Sequence, residues 1–196
     1  MDMALPLILG SSSVFRQAQL QRLGLSFQTA TPDFDETPVA GESASDTALR
    51  LAVGKAHSLA ARFPQALIIG ADQVAWCCQQ QLGKPMSVAN AQQMLTALSG
   101  QQIEFYSAVC LLNTASGRVQ QNVDKTVVTM RELTAQQIAQ YLAREPDAIY
   151  CAGAAKSEGL GAALLQRIDS SDPNALIGLP IFFFFFFLQA EGVSVL

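Results

Sequence analysis

Leu5-Pro6-Leu7-Ile8-Leu9-Gly10-Ser11-Ser12-Ser13-Val14-Phe15-Arg16 is the stretch on which the fold turns. An apolar run of strand length stops at a glycine, passes three hydroxyl residues and meets an arginine one helical step later. The chain then continues as a helix to Leu23-Gly24. A strand leading through a small-residue loop into a helix presents unpaired backbone N–H groups and the positive end of the helix dipole, a ready anion site. Ser11, Ser12 and Ser13 add hydroxyl donors, and Arg16 can fork onto phosphate oxygens. Alone, the stretch is equally compatible with a serine N-cap and a solvated arginine. The rest of the chain weighs for the anion site.

Half of the 196 residues are hydrophobic and 14% are charged, a globular balance with length enough for a real core, either one domain or two closely joined lobes. The net charge of −4 argues against a broad nucleic-acid or anionic-membrane surface, so phosphate must be bound by a few aimed cations. Met1 to Gly10 lacks the basic start of a secretory signal, and the apolar run Leu179 to Leu188 is about half the length that spans a bilayer. The expected setting is cytoplasmic. Cys77, Cys78, Cys110 and Cys151 lack metal-ligand spacing and read as buried free thiols. The single histidine, His57, borders an apolar stripe and reads as packing or surface.

Leu49, Ala52, Val53, Ala56, Ala60 and Phe63 lie on one helical face, with Ser43 and Asp46 at capping-box spacing before it and Pro64 closing it. Lys55 falls near the edge of that helix's polar side. A second helix is expected from Ser87 to Ser99, stopped by Gly100, and a third from Thr134 to just before Pro146, with Thr134 and Gln137 at capping-box spacing. Leu67 to Gly70, Phe105 to Leu112 and Val119 to Met130 read as strands, the last two joined by a turn over Asn113 to Gly117. The order gives a mixed α/β domain around one central sheet, which the hairpin keeps from being wholly parallel. The six consecutive rings Phe182 to Phe187 must be mostly buried, in the core or in a subunit interface, because exposed they would drive association.

Five polar clusters interrupt this apolar background: Ser11-Ser12-Ser13 with Arg16; Asp35-Glu36-Thr37-Pro38; Gly70-Ala71-Asp72-Gln73; Gly83-Lys84-Pro85; and Lys156-Ser157-Glu158-Gly159, followed by Asp172-Pro173-Asn174 and Gly178-Leu179-Pro180. Each alone is equally a turn, a cap or a solvated charge. Asp72 stands out because ligands of open α/β sheets gather at the carboxyl ends of strands. Together the clusters form a kit. Glu36 and Asp72 offer hard oxygen ligands for Mg²⁺ or Mn²⁺. Arg16, Lys55, Lys84 and Lys156 offer cations for a polyphosphate. Neither the Gly-x-x-x-x-Gly-Lys-Ser/Thr loop nor the Gly-x-Gly-x-x-Gly fingerprint is present, which excludes the usual ATPase plan and weakens a dinucleotide site.

The ordered set, with Lys55-Ala56 and Ala152-Gly153, resembles the Maf family of nucleoside triphosphate pyrophosphatases over nearly the whole chain. The resemblance implies an elongated mixed α/β fold of two lobes with a cleft, shared with the inosine-triphosphate pyrophosphatases. It further implies hydrolysis of a nucleoside triphosphate to the monophosphate and pyrophosphate with a divalent cation (Mg²⁺, Mn²⁺ or Co²⁺), often in a homodimer, while the acidic balance argues separately against a nucleic-acid or membrane partner. On this resemblance Ser11, Ser12, Ser13, Arg16, Lys55, Lys84 and Lys156 bind substrate, and Glu36 holds metal. Asp72 either activates water as the general base or, because an unperturbed aspartate is a weak base at neutral pH, orients the water or binds metal, roles that the sequence does not separate. Phe15, Gln73 and Glu158 occupy the positions associated with base choice and resemble the branch acting on 7-methyl-GTP more than the dTTP and UTP branch. An aromatic face suits a cationic 7-methylguanine, and a carboxylate can accept from its N1–H and N2–H edge, with Gln73 completing the recognition. A phenylalanine stands where that branch has tryptophan, and the Phe182 to Phe187 run departs from the mixed helical sequence expected there. The competing reading is a nucleotide-binding regulator of cell division without turnover.

Overall fold

The computed structural model describes residues 5–196. Its sheet has seven strands: β1 (Leu7–Gly10), β2 (Gln28–Thr29), β3 (Leu67–Cys77), β4 (Gln80–Leu82), β5 (Gln102–Asn113), β6 (Arg118–Met130) and β7 (Leu165–Asp169). Their order is β2-β1-β3-β5-β6-β7, with β4 on β3. β1 runs parallel to β2 and to β3, whereas β3/β4 and β6/β7 are antiparallel. The mixed sheet expected from the hairpin is therefore what forms, with residues 114–117 as the turn between β5 and β6.

Five α-helices accompany the sheet: α1 (Val14–Arg22), α2 (Ala44–Ser58), α3 (Val88–Leu98), α4 (Ala135–Arg144) and α5 (Ile181–Ala190). Local chemistry sets their starts. Ser13, Ser43, Ser87 and Thr134 each cap a helix by accepting from the backbone N–H three residues on, and Thr134 with Gln137 completes a capping box. α2 ends earlier than its apolar stripe suggests, and His57 near its end is exposed.

The chain divides into two compact units. The first holds residues up to Gln73, Ser107–Asp124 and Asp172–Leu196; the second holds Val74–Tyr106 and Lys125–Ser171. In the first, Leu7, Leu9, Leu20, Leu67, Ile69, Val109, Leu111, Leu179, Phe184 and Leu188 form one buried cluster. In the second, Ile103, Phe105, Leu95, Leu98, Ile138 and Leu142 are buried.

Three sequence expectations change. β3 does not stop at Gly70 but continues to Cys77, so Asp72 and Gln73 sit within a strand. The polar pair interrupts the apolar run without ending the strand, because β1 leaves off at the Gly10–Gly70 pair while β3 goes on to meet β4. Asp72 nevertheless lies just beyond the carboxyl end of β1. Lys55, placed near the edge of a polar face, is instead buried. The polyphenylalanine helix is ordinary in its burial. Ile181, Phe184 and Leu188 face inward, Phe183, Phe185 and Phe187 pack partly against the core, and Phe182 and Phe186 are 49% and 66% exposed. Burial of most rings holds only in this graded form. Phe184→Ala should therefore destabilise the protein by about 3–5 kcal/mol in urea unfolding, while Phe186→Ala should change it by less than about 0.5 kcal/mol.

Candidate active site

The first unit gathers six of the expected site residues: Ser11 and Ser13 hydrogen-bond with Arg16 at the start of α1, and Lys55 pairs with Asp72 and Glu36. α1 begins at the Ser13 cap, and the loop before it folds on itself: Ser11 Oγ accepts from the Ser13 N–H at 3.1 Å. Arg16, two residues into the helix, donates from a terminal guanidinium nitrogen to Ser11 Oγ at 3.3 Å and from Nε to the Gly178 carbonyl at 2.9 Å. Burial draws the Arg16 pKa down, while the negative charges of Asp72 and Glu36 push it back up. Both carboxylates thus act on the arginine electrostatically. Ser11 is buried, Ser12 is exposed, and Ser13 and Phe15 are half-buried.

Lys55 is the centre of the group. Gly70 of β3 lies so close to α2 that a Cβ there would run into the Ala52 carbonyl and Ala56. That contact sets Lys55, one residue before Ala56, above Asp72. The Lys55 ammonium lies 2.5 Å from Asp72 Oδ1 and 3.0 Å from Glu36 Oε1. Glu36 is delivered by a tight turn in which Asp35 Oδ1 accepts from the backbone N–H and hydroxyl of Thr37, contacts that lower the Asp35 pKa. Asp35 is spent on the turn, leaving Glu36 to reach inward. Asp72 Oδ2 carries no hydrogen bond among the described residues and is the carboxylate oxygen open to a water.

The donor set fits a divalent cation of the Mg²⁺ class. No cluster of three or more His, Cys, Asp or Glu that could hold a metal occurs among the described residues, so no all-protein cage exists. Mg²⁺ does not require one, since it is commonly held by one or two carboxylates with substrate phosphates and waters completing its shell. Asp72 and Glu36 already flank one cation, the Lys55 ammonium. Within this group Arg16 and Lys55 are cancelled by Asp72 and Glu36, so an incoming polyphosphate gains net positive charge only if another cation comes with it.

Gln73 does not present its amide N–H groups to an open space. Its Nε2 donates to Ser107 Oγ at 2.9 Å, to the Ala175 carbonyl at 3.1 Å and to the Leu176 carbonyl at 3.0 Å. Only Oε1 is left to accept from a ligand.

The second unit holds the other three expected residues. Lys84 is exposed and lines a cavity of about 400 Å³ with Cys77, Cys78, Pro85, Asn90 and Met94. Cys78 and Gln79, both at positive φ, make the two-residue turn from β3 to β4. Of the cysteines, Cys77 and Cys110 are buried as expected, but Cys78 is exposed at this turn and Cys151 only half-buried. Lys156 is paired, its ammonium 3.0 Å from Glu145 Oε1, and the hydrogen bond to Glu145 raises its pKa. Its backbone N–H donates to the Tyr141 hydroxyl, which in turn donates to the Ala154 carbonyl; burial pushes that phenol up to about 12. Glu158 is exposed, with the Ser157 hydroxyl donating to it at 3.4 Å.

Sequence reasoning missed Glu145 and Ser107. Glu145 accepts from the Leu160 N–H and from Lys156, so it fixes both ends of the 156–160 loop. Its position directly before Pro146 resembled an ordinary helix end.

A mixed α/β fold that sets an arginine-and-serine anion cradle beside a lysine shared by two carboxylates defines a class, proteins built to receive phosphate groups. The chain belongs to the Maf family: the family model described as Maf-like protein matches residues 6–191. It is 66% identical over 196 residues, covering all of both chains, to a protein of Neisseria meningitidis serogroup A named 7-methyl-GTP pyrophosphatase. Proteins of the same name from Chromobacterium violaceum and Methylobacillus flagellatus are 54% and 46% identical, over 97% of this chain and 98% and 99% of theirs.

The Leu160 N–H and Lys156 hold the folded-state pKa of Glu145 below its ordinary value of 4.5. A depressed carboxylate stabilises the fold above its unfolded pKa, and that stabilisation is lost as pH falls through the folded value. Glu145→Gln should therefore lower the thermal midpoint at pH 7 and flatten the decline below about pH 4.5, read by thermal melts across a pH series.

Proposed function

We propose that this protein hydrolyses 7-methyl-GTP to 7-methyl-GMP and pyrophosphate. One observation carries the chemistry: in a single unit, an anion cradle at a helix start adjoins a carboxylate with one oxygen held by lysine and the other open. The relatives' name supports the choice of substrate. Cytoplasmic placement and homodimeric assembly belong to the same proposal, and no helix among the described residues is long and apolar enough to cross a membrane.

Arg16 binds phosphate oxygens with the guanidinium N–H groups not taken by Ser11 and Gly178, and the Ser11 to Ser13 loop adds donors. Lys55, positioned by Asp72, neutralises charge as it develops on the α-phosphate. Asp72 accepts the proton of the attacking water at Oδ2 while Oδ1 stays on Lys55. As the new P–O bond forms at the α-phosphorus, the bond to the α–β bridging oxygen breaks and pyrophosphate leaves. A divalent cation held by Glu36, and by Asp72 where Asp72 binds metal rather than taking the proton, would supply further charge neutralisation on the phosphate oxygens. In the second unit we assign Lys84 and Lys156 to phosphate binding; substrate must then draw Lys156 away from Glu145. Phe15 supplies a ring face for the cationic base and Glu158 a carboxylate for its N1–H and N2–H edge.

Asp72→Asn leaves Lys55 paired with Glu36 and should keep the fold. Pyrophosphate release should fall by about 10²–10⁴-fold, the range for loss of a positioned base. Turnover near the wild-type rate would remove Asp72 from the chemistry, and saturable nucleotide binding without product in the wild type would favour a regulator. Glu158→Gln should narrow the kcat/KM advantage of 7-methyl-GTP over GTP, measured with both nucleotides in Mg²⁺. A wild-type preference for dTTP or UTP would reassign the protein to the pyrimidine branch.

A further inference from the structure

Between β7 and α5 the chain crosses residues 172–180, and its carbonyls are held by side chains from three other elements of the first unit. Gln19 of α1 donates to the carbonyls of Asn174 at 2.9 Å and Leu179 at 3.5 Å. Ser107 of β5 and Gln73 of β3 both donate to the Ala175 carbonyl, and Gln73 also to that of Leu176. Arg16 donates to the Gly178 carbonyl. Gly178 has φ +135°, open to glycine alone, and a Cβ there would lie 3.5 Å from Arg16 Cγ and Nε. At the loop's ends Asp172, 1% exposed, accepts from the Asn174 and Phe182 N–H groups.

Ser107 is fully buried and its hydroxyl has a single pair of partners in this network: it accepts from Gln73 and donates to Ala175. Gln19 pays a further cost, because its buried Oε1 has no partner. A buried acceptor left unmade is unfavourable by about 1–3 kcal/mol. The held carbonyls of Asn174, Ala175, Leu176 and Leu179 flank the Gly178 carbonyl that Arg16 contacts.

We propose that Ser107 and Gln73 are positioning residues that lock the 175–178 backbone so that the Gly178 carbonyl aims the Arg16 guanidinium at phosphate. Gln73 thereby acts on the phosphate chain through the loop, not by donating to the base. The inference rests on the phosphate-binding role of Arg16 given above and deepens it.

The test uses inorganic tripolyphosphate, which has no base, titrated calorimetrically in Mg²⁺ buffer into the full-length protein. Ser107→Ala and Gln73→Met should each weaken its binding about tenfold, the low end for residues that orient a ligand-binding side chain. Neither should weaken it further in an Arg16→Lys background, and Ser107→Thr should restore it. The kcat/KM ratio of 7-methyl-GTP over GTP should stay within about twofold of wild type in Ser107→Ala. Full tripolyphosphate affinity in the folded variants, losses that add to that of Arg16→Lys, a collapsed 7-methyl-GTP preference, or no affinity in the wild type would each overturn the proposal. If Ser107→Ala loses its cooperative melt, Gln73→Met and Ser107→Thr carry the same comparison. A wild type that binds tripolyphosphate in this pattern yet releases no pyrophosphate from any nucleotide would overturn the pyrophosphatase reading and leave the loop's role standing.

Discussion

The approach of α2 to the paired glycines of β1 and β3 governs the arrangement of the first unit's charges. Gly10 and Gly70 are in register; a Cβ on Gly70 would run into the Ala52 carbonyl and Ala56, and one on Gly10 would press on Leu59 and the Ile69 carbonyl at 3.0 and 3.1 Å. With the helix this low on the sheet, Lys55 cannot reach solvent by the usual route along a helix face. Its ammonium is instead satisfied by Asp72 and Glu36. A buried ion pair of this kind is poor evidence for stability, since desolvation offsets much of the attraction, but leaving the ammonium with neither carboxylate would strand it at a cost of about 3–5 kcal/mol. Glu36 is exposed enough to give way to a ligand, and Asp72 is not.

The elements legible in the sequence were those specified by neighbours in sequence. Four helix starts carry a Ser or Thr cap three residues ahead of its N–H partner, and the β5–β6 hairpin is marked by a short polar turn. β7 escaped notice because four of its five residues are exposed and no apolar alternation betrays an edge strand. β4 is three residues long and follows a turn whose left-handed positions are filled by Cys78 and Gln79, without the Asn-Gly signal such turns favour. The far half of β3 was hidden by Asp72 and Gln73, which look like the end of a strand because polar residues inside a buried strand are rare outside functional sites.

Site composition was more legible than site wiring. The residue types at Arg16, Glu36, Lys55 and Asp72 pointed to phosphate and a hard cation, and the fold gathers all four. The pairings did not follow from spacing: Lys55 meets Asp72 across 17 positions, Lys156 meets Glu145 across 11, and Ser107 meets Ala175 across 68. Helical periodicity placed Lys55 by the angle of its Cα, but the depth of the helix on the sheet decides burial. Ser107 sat inside an apolar strand where a serine reads as a small filler, and only the loop returning from a distant part of the chain gives its hydroxyl a task.

Six identical rings in a row make α5 almost blind to its own rotation. Turning the helix by one residue would replace one phenylalanine with another at Phe183, Phe184 and Phe185, so side-chain identity along the middle of the helix sets its azimuth weakly. The ends must do so. Ile181 and Leu188 supply the aliphatic shapes that a ring would not match, Asp172 grips the Phe182 N–H at 2.7 Å, and at the far end Glu191 takes the side-chain amides of Asn113 and Gln120 at 2.6 and 2.8 Å. A helix made this way behaves like a shaft with a uniform surface keyed only at its two bearings, and changes at those ends should cost it uniqueness of packing before they cost it hydrophobic burial.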